Sequence, residues 1–194
     1  MIERACVILC GGKSSRMGQN KALLSFKNQA LLSYLIQKYK KIFKKVYLCC
    51  KEQNIKDYEC FGAEMLIEKS EVFSPMIGLY TALEVLQKDS FIVTTDCPFL
   101  QQDHFARLEY AWEDCEKKIL YAKTQHKSHF LIGIYSPRVL AVLYECIQNQ
   151  EFKLSFLMQK CASSGFEFDD EESFSNLNTQ QDYQEALLRI SDGK

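Results

Sequence analysis

Residues that break regular structure are scarce in this sequence, which has 3 prolines and 8 glycines among 194 residues. Hydrophobic residues make up 47% of the chain, so collagen-like, low-complexity and disordered classes are excluded. No linker-like segment and no internal repeat divides the chain, and its length corresponds to about one domain. We therefore predict a single domain over residues 1–194.

An excess of charge of either sign is also missing. The sequence has 24 Lys and Arg residues against 25 Asp and Glu residues, which gives a formal net charge of -1 at pH 7. A protein that binds nucleic acid through its overall charge carries a clear basic excess. We therefore expect no nucleic-acid partner, although a local cationic pocket is compatible with this balance.

Long hydrophobic runs and secretion signals are absent too. No stretch approaches the ~18 apolar residues of a membrane-spanning helix, and the N-terminus lacks the apolar region and cleavage site of a signal peptide. The nine cysteines form no CxxC pair, and most lie inside apolar runs, which is typical of reduced, buried thiols. These features predict a cytoplasmic protein that makes no membrane contact.

Strand-like and helix-like patterns alternate along most of the chain. Residues 5–9 form a continuous apolar run, the pattern of a strand that is buried on both faces. Further strands are predicted at residues 46–50, 65–67, 91–95, 119–123 and 130–135, with helices where apolar residues recur at helical spacing. Repeated βα units predict an α/β fold of three layers, in which a mostly parallel sheet has helices on both faces.

Three sites carry recognisable helix-start signals. Ser74-Pro75 predicts an N-cap followed by the first helical residue. Residues 179–182 resemble a capping box for a last helix that ends at about Ile190. Pro137 predicts the start of another helix. Its inward face is predicted to carry Leu140, Leu143, Tyr144 and Ile147.

A glycine-rich loop, residues 11–18, follows the first strand at its carboxyl end, where parallel sheets collect ligands. It lacks the spacing of a Walker A loop and of a dinucleotide fingerprint. Gly11 and Gly12 let the backbone approach a ligand closely, and successive N–H groups form an anion-binding nest. Hydroxyl and cationic donors follow at Ser14, Ser15, Arg16 and Lys21. The loop therefore predicts a triphosphate site, and the alternative is a loop whose charges are only solvated.

Asp96 follows a later predicted strand at its carboxyl end, as the glycine-rich loop follows the first strand, and Cys97-Pro98 comes next. A carboxylate there can hold Mg²⁺, with triphosphate oxygens and water completing an octahedral shell. The alternative is an aspartate that caps the next turn.

These segments resemble the nucleotidyltransferases related to the molybdenum cofactor guanylyltransferase MobA. The stretch LCGGKSSRMGQNKALL is similar to their fingerprint LxGGxSxRMGxDKxLL, and residues 94–98, 74–79 and 175–179 resemble three further family motifs. The resemblance implies a Rossmann-like fold, Mg²⁺ as the cofactor, and GTP and a molybdopterin-type cofactor as the small-molecule partners. The implied reaction transfers GMP to the phosphate of that cofactor and releases pyrophosphate. We expect a monomer or a weak homo-oligomer.

The resemblance also assigns roles to individual residues. The implied catalytic residues are Arg16, Lys21 and Asp96, of which Asp96 is the metal ligand. The implied nucleotide-binding residues are Leu9, Cys10, Gly11, Gly12, Lys21, Cys49, Lys69 and Asp96. The implied acceptor-binding residues are Ser14, Arg16, His129, Asn176 and Asn178.

The nucleotide side of the site departs from the family pattern at three positions. Asn20 stands where the family usually has Asp, Cys49 where it tends to have Asn, and Lys69 where an Asp helps to bind GTP. A lysine cannot accept hydrogen bonds from the guanine N1–H and 2-amino groups. Either Glu68 or backbone carbonyls must then read the base.

The acceptor side of the site leaves two alternatives open. His129 is followed by Phe130 instead of the usual Pro, so it either contacts the pterin or ends a strand. Asn176 and Asn178 alternate on a segment that we expect to be extended, so both should point to one face. They either bind the pterin or serve turn and helix-capping chemistry.

Two rival functions are compatible with the sequence. One is a related cytidylyltransferase or sugar-phosphate nucleotidyltransferase, which would share the loop and differ in base or acceptor. The other is a non-catalytic nucleotide-binding protein on the same fold. Retention of both Lys21 and Asp96 favours an enzyme.

Overall fold

The structure is a computed structural model that describes residues 1–10 and 20–191. Its strands are β1 (Ala5–Leu9), β2 (Ser25–Phe26), β3 (Gln29–Ala30), β4 (Val46–Lys51), β5 (Glu64–Glu68), β6 (Ser90–Thr94), β7 (Ile119–Lys123), β8 (Ser128–Tyr135) and β9 (Ser163–Glu167). Its α-helices are α1 (Leu31–Lys40), α2 (Ile55–Tyr58), α3 (Pro75–Leu86), α4 (Gln102–Glu113), α5 (Leu140–Gln148), α6 (Leu154–Lys160) and α7 (Gln180–Ser191).

A seven-stranded sheet with the order β5-β4-β1-β6-β8-β7-β9 forms the centre of the molecule. Strand β1 pairs in parallel with β4 and β6, and β7 pairs in parallel with β9. Strand β8 is antiparallel to both of its neighbours, β6 and β7. The prediction of a mostly parallel sheet is confirmed, and β8 is the exception within the described residues.

Helices cover both faces of this sheet because the strands are apolar on both sides. Cys6 and Ile8 of β1 point into the core that α1, α4 and α7 cover. Val7 and Leu9 point into the opposite core, under α3, α5 and α6. The alternation of side chains along a strand thus fills two separate cores. The predicted three layers are confirmed.

Two of the predicted helix starts have the expected capping contacts. Ser74 Oγ accepts a hydrogen bond from the Met76 N–H at 3.2 Å, and Pro75 is the first residue of α3. Thr179 Oγ1 accepts from the Asp182 N–H at 3.1 Å, and Asp182 Oδ2 accepts from the Thr179 N–H at 2.8 Å. These are reciprocal contacts of a capping box.

The inward face predicted for α5 is wrong at Tyr144, whose exposed fraction is 54%. Pro137 begins a 3₁₀ turn, and the α-helix itself begins only at Leu140. The buried residues of this helix are Leu143 and Cys146, so its buried face is rotated away from Tyr144.

All nine cysteines are free thiols. Seven of them are buried, while Cys60 is exposed and Cys115 is half-buried. Within the described residues, none of the helices has the length and apolarity needed to span a membrane.

Candidate functional site

The candidate site lies at the sheet edge where the parallel strands end. Leu9 ends β1 there and Cys10 follows it, and Asp96 lies two residues beyond the end of β6. Because β8 runs in the opposite direction, its first residues reach this same edge, and they include His129. The predicted Gly11, Gly12, Ser14 and Arg16 lie outside the described residues.

Lys21 and Asp96 form an ion pair at this edge, with 2.8 Å between Nζ and Oδ1. The Lys21 side chain is 13% exposed and that of Asp96 is 34% exposed, so the carboxylate stays open to a ligand. In the described part of the chain, the side-chain contact of Asp96 is this ion pair and not the cap of a turn.

Asn20 holds the short turn that carries Lys21. Its Oδ1 accepts from the Ala22 N–H at 3.2 Å and from the Tyr58 hydroxyl at 3.1 Å. Asn20 therefore acts as a cap for the 3₁₀ turn at Lys21–Leu23. Asn20 therefore positions the turn of Lys21 with a neutral side chain.

Two contacts from distant segments fix the loop after β6. Lys38 Nζ donates to the Pro98 carbonyl at 2.8 Å, and the Leu177 N–H donates to the Asp96 carbonyl at 2.9 Å. The second contact places Asn176 next to Asp96. Burial raises the pKa of the adjacent Cys97 thiol to about 12, so this thiol is protonated near neutral pH and does not act as a nucleophile.

A cavity of about 190 Å³ opens beside Asp96. Its polar lining includes Asp96, Lys127, His129 and Asn176, and its apolar lining includes Phe130, Leu131 and Leu154. Three predicted site residues therefore meet in one cavity. The sequence analysis missed Lys127. The available signal was the Lys-Ser-His sequence directly before the strand predicted at residues 130–135.

His129 is the second residue of β8 and lines the cavity, so it both begins a strand and faces the site. Its ring is buried, lies 5.0 Å from the Phe174 ring centroid, and places Nε2 3.3 Å from Thr124 Oγ1. Burial and then the charge of Lys127 lower the pKa of His129 to about 4. The imidazole is therefore neutral near pH 7.

Asn176 and Asn178 are separated by the structure. The Asn176 amide fits its neighbours best when it is rotated so that its oxygen accepts from Lys127 Nζ at 2.9 Å and its nitrogen donates to the Phe174 carbonyl at 3.3 Å. Asn178 is exposed, and its N–H donates to Asp182 Oδ2 at 2.8 Å in the cap of α7. The backbone turns between them, since the Asn178 N–H also contacts the Asn176 carbonyl at 3.1 Å. The structure therefore brings Asn176, and not Asn178, to the cavity.

The ends of β4 and β5 place the residues that we predicted near the base. Cys49 is fully buried, its pKa is raised by that burial, and its Sγ donates to the Gly78 carbonyl at 3.4 Å. Lys69 is exposed, whereas Glu68 is buried with its Oε2 2.9 Å from Lys51 Nζ.

Lys51 is a second residue that the sequence analysis missed. Its Nζ donates to the Val72 carbonyl at 2.6 Å and also to the Ser70 carbonyl. Lys51 therefore ties the loop after β5 to the end of β4, and neutralises Glu68. The only sequence signal for Lys51 was its position as a charged residue at the end of an apolar strand.

The environment of Asp96 fits the coordination preferences of Mg²⁺. In the described residues, no group of three or more His, Cys, Asp or Glu side chains could hold a metal ion. Mg²⁺ is commonly bound by one or two carboxylates, with substrate phosphates and water as the other ligands. The single, partly exposed carboxylate of Asp96 matches that arrangement.

Solved structures share this fold. Molybdopterin-guanine dinucleotide biosynthesis protein A from Archaeoglobus fulgidus gives a TM-score of 0.87 at 20% identity, covering 97% of this chain and 99% of that chain. At this level of identity the likeness concerns the fold, and it confirms the expected Rossmann-like architecture.

Sequence comparisons identify the family. A curated relative from Campylobacter jejuni (strain RM1221), named molybdenum cofactor guanylyltransferase, is 35% identical over 189 residues, or 97% of each chain. A relative of the same name from Helicobacter pylori (strain G27) is 34% identical and covers 97% of this chain and 94% of the relative. The family described as MobA-like NTP transferase domain matches residues 6–163. With this match and these identities along nearly the whole chain, the protein belongs to the MobA-like NTP transferase family.

Proposed function

We propose that this protein is a Mg²⁺-dependent nucleotidyltransferase that joins GMP from GTP to the phosphate of a molybdopterin-type cofactor. The names of its relatives support this reaction. The observation that carries the proposal is the Lys21–Asp96 pair at 2.8 Å, at the sheet edge where the cavity with His129 and Asn176 opens beside Asp96. A cation, a carboxylate and a cavity meet at one sheet edge.

The reaction needs positioning more than proton transfer. A phosphate oxygen of the acceptor bonds to the α-phosphorus of GTP as the bond to the pyrophosphate oxygen breaks. The acceptor phosphate is already ionised, so no general base is required. Lys21 and Arg16 neutralise charge on the leaving pyrophosphate, and backbone N–H groups at Gly11 and Gly12 hold the triphosphate. Ser14 adds a hydroxyl donor toward the acceptor.

Asp96 would hold the metal ion in this proposal. When bound, Mg²⁺ neutralises phosphate charge and orients the phosphate oxygens. Lys21 contacts the same carboxylate and helps to position it at the strand edge.

For the nucleoside, we propose a binding region at the ends of β1, β4 and β5 that is bordered by Leu9, Cys10 and Lys69. The predicted Cys49 is fully buried and presents no exposed side chain to it. The ion pair with Lys51 holds Glu68 in the interior, and Lys69 cannot accept hydrogen bonds. These observations favour backbone carbonyls as the acceptors that read the guanine edge. The free and mostly buried cysteines support a reducing, cytoplasmic location.

The test is an assay of pyrophosphate release with Mg²⁺, molybdopterin and each of the four nucleoside triphosphates in turn. We expect release with GTP only, and none without molybdopterin or after chelation of Mg²⁺. Release with CTP would replace the proposal with a cytidylyltransferase. Binding of GTP without turnover would indicate a non-catalytic nucleotide-binding protein.

A further inference from the structure

The cavity beside Asp96 has a mixed lining. Thr94, Asp96, Lys127 and Asn176 are its polar residues apart from Ser128 and His129, and Phe130, Leu131, Ile132 and Leu154 are apolar residues of the same lining. Pockets of this kind bind a ligand through apolar contacts and fix its orientation through a few polar groups. The matching ligand has a charged end and a flat or apolar body.

Lys127 is the cation of this cavity in the described part of the chain, since Lys21 does not line it and His129 is neutral near pH 7. The turn that carries Lys127 is fixed by a hydrogen bond of 2.8 Å from the Thr124 N–H to the Lys127 carbonyl. Lys127 Nζ is 2.9 Å from the Asn176 side-chain amide, and the amide orientation that satisfies its neighbours presents the oxygen to Lys127. An amide orients the ammonium group without cancelling its charge.

A cation at this position reduces charge repulsion in the proposed reaction. The acceptor phosphate must approach both a triphosphate and the carboxylate of Asp96, and like charges at short range repel strongly. Lys21 already contacts Asp96 at 2.8 Å. A second, separate ammonium group is therefore the natural partner for the incoming phosphate.

We propose that Lys127 binds the phosphate of the acceptor and holds it beside Asp96, while apolar residues of the same cavity contact the planar part of the acceptor. This inference rests on the proposed function. It assigns a binding role to a residue in the turn between β7 and β8.

The variant Lys127→Gln removes the charge and keeps most of the side-chain length. Lys123→Gln is the matched control, because Lys123 ends β7 in the same hairpin and pairs with Glu167 at 3.6 Å outside the cavity. Steady-state kinetics with varied molybdopterin and varied GTP separate the two substrates. We expect kcat/KM for molybdopterin to fall by about 10- to 100-fold in Lys127→Gln, with the KM for GTP unchanged within about 2-fold.

Lys123→Gln is expected to behave as the wild type, and Lys127→Arg to recover part of the loss. An equal effect of Lys127→Gln and Lys123→Gln, or a loss that appears in the KM for GTP, overturns the assignment.

Binding of inorganic phosphate, followed by phosphorus NMR, separates this inference from the proposed function. If the wild type shows no turnover and phosphate binding is lost only in Lys127→Gln, the anion site stands and the proposed function fails. If turnover is normal and phosphate binding is equal in all variants, the role of Lys127 is refuted and the proposed function stands.

Discussion

Lys21 and Asp96 are 75 positions apart in the chain, yet their charged atoms lie 2.8 Å apart. Each residue could be singled out from its local motif, but their contact could not. Lys51 and Glu68 form a second such contact, with side chains that are 6% and 2% exposed, and here the sequence analysis missed Lys51 itself. Single substitutions in such pairs distinguish a binding role from a structural role.

Asp96→Asn is expected to lower kcat by at least about 100-fold, because it removes a ligand charge from the proposed metal site. Its ion pair is partly exposed, so the midpoint of thermal unfolding should change little. The measurements are kcat at saturating Mg²⁺ and a thermal unfolding curve. Asp169→Asn, a change of the same type at an exposed position, is the control. Activity near that of the wild type would exclude Asp96 as the metal ligand.

Lys51→Met is expected to lower the free energy of unfolding by about 3–5 kcal/mol, because it leaves the buried carboxylate of Glu68 without a counter-charge. Urea unfolding measures this value. Lys69→Met, at the exposed neighbouring position, should stay within about 0.5 kcal/mol of the wild type. The double variant Lys51→Met/Glu68→Gln should recover part of the loss. Equal stability of the two single variants would contradict a structural role of the pair.

At the scale of secondary-structure elements, local sequence signals predicted where helices begin and whether a segment is a helix or a strand. They predicted less well which face of a helix is buried and which strand lies at the edge of the sheet. Ser74 and the 179–182 segment cap α3 and α7 as their side chains indicate. Strand β9 was not predicted, since its Ser-Ser-Gly sequence has little preference for a strand. It forms because pairing with β7 satisfies its backbone, which is a tertiary effect.

Strand β8 offers a test of close packing between strands. A Cβ at Gly133 would overlap the Leu120 carbonyl oxygen, next to the irregular pairing at Tyr121 and Ala122. Gly133→Ala is therefore expected to lower the free energy of unfolding by about 1–3 kcal/mol, because the backbone of β7 must shift.

Gly165→Ala in β9 is the control for this substitution. There the new Cβ would approach Cε2 of the Tyr121 ring at 3.1 Å, and a side chain can move away more easily than a strand. Chemical unfolding of both variants gives the comparison. A larger loss for Gly165→Ala than for Gly133→Ala would contradict the strand-packing argument.

At the scale of the whole molecule, His129 couples stability to pH. Burial and Lys127 lower its pKa from the usual 6.5 to about 4, while Glu171 acts in the opposite direction. Between these two values the unfolded chain binds a proton that the folded protein does not. Stability is therefore expected to fall as pH drops from about 6.5 to about 4, by about 1–3 kcal/mol for this group.

Replacing His129 by Gln should reduce this pH dependence, and the same change at the exposed His126 should not. Urea unfolding at pH 7 and pH 4.5 for the wild type and both variants gives the required differences. Identical pH dependence in the wild type and in His129→Gln would refute the assignment.

The sequence by itself determined the alternation of strands and helices, the three-layer α/β class and the family, and it also predicted a functional role for Asp96. These features follow from periodicity and short motifs, which act over a few residues. Only the tertiary structure decided that β8 runs antiparallel, that Lys127 and Asn176 meet beside Asp96, and that Asn178 turns away to cap α7. Strand pairing joins segments that are distant in the chain, and its energy comes from burial and backbone hydrogen bonds over the whole sheet, which no local pattern records.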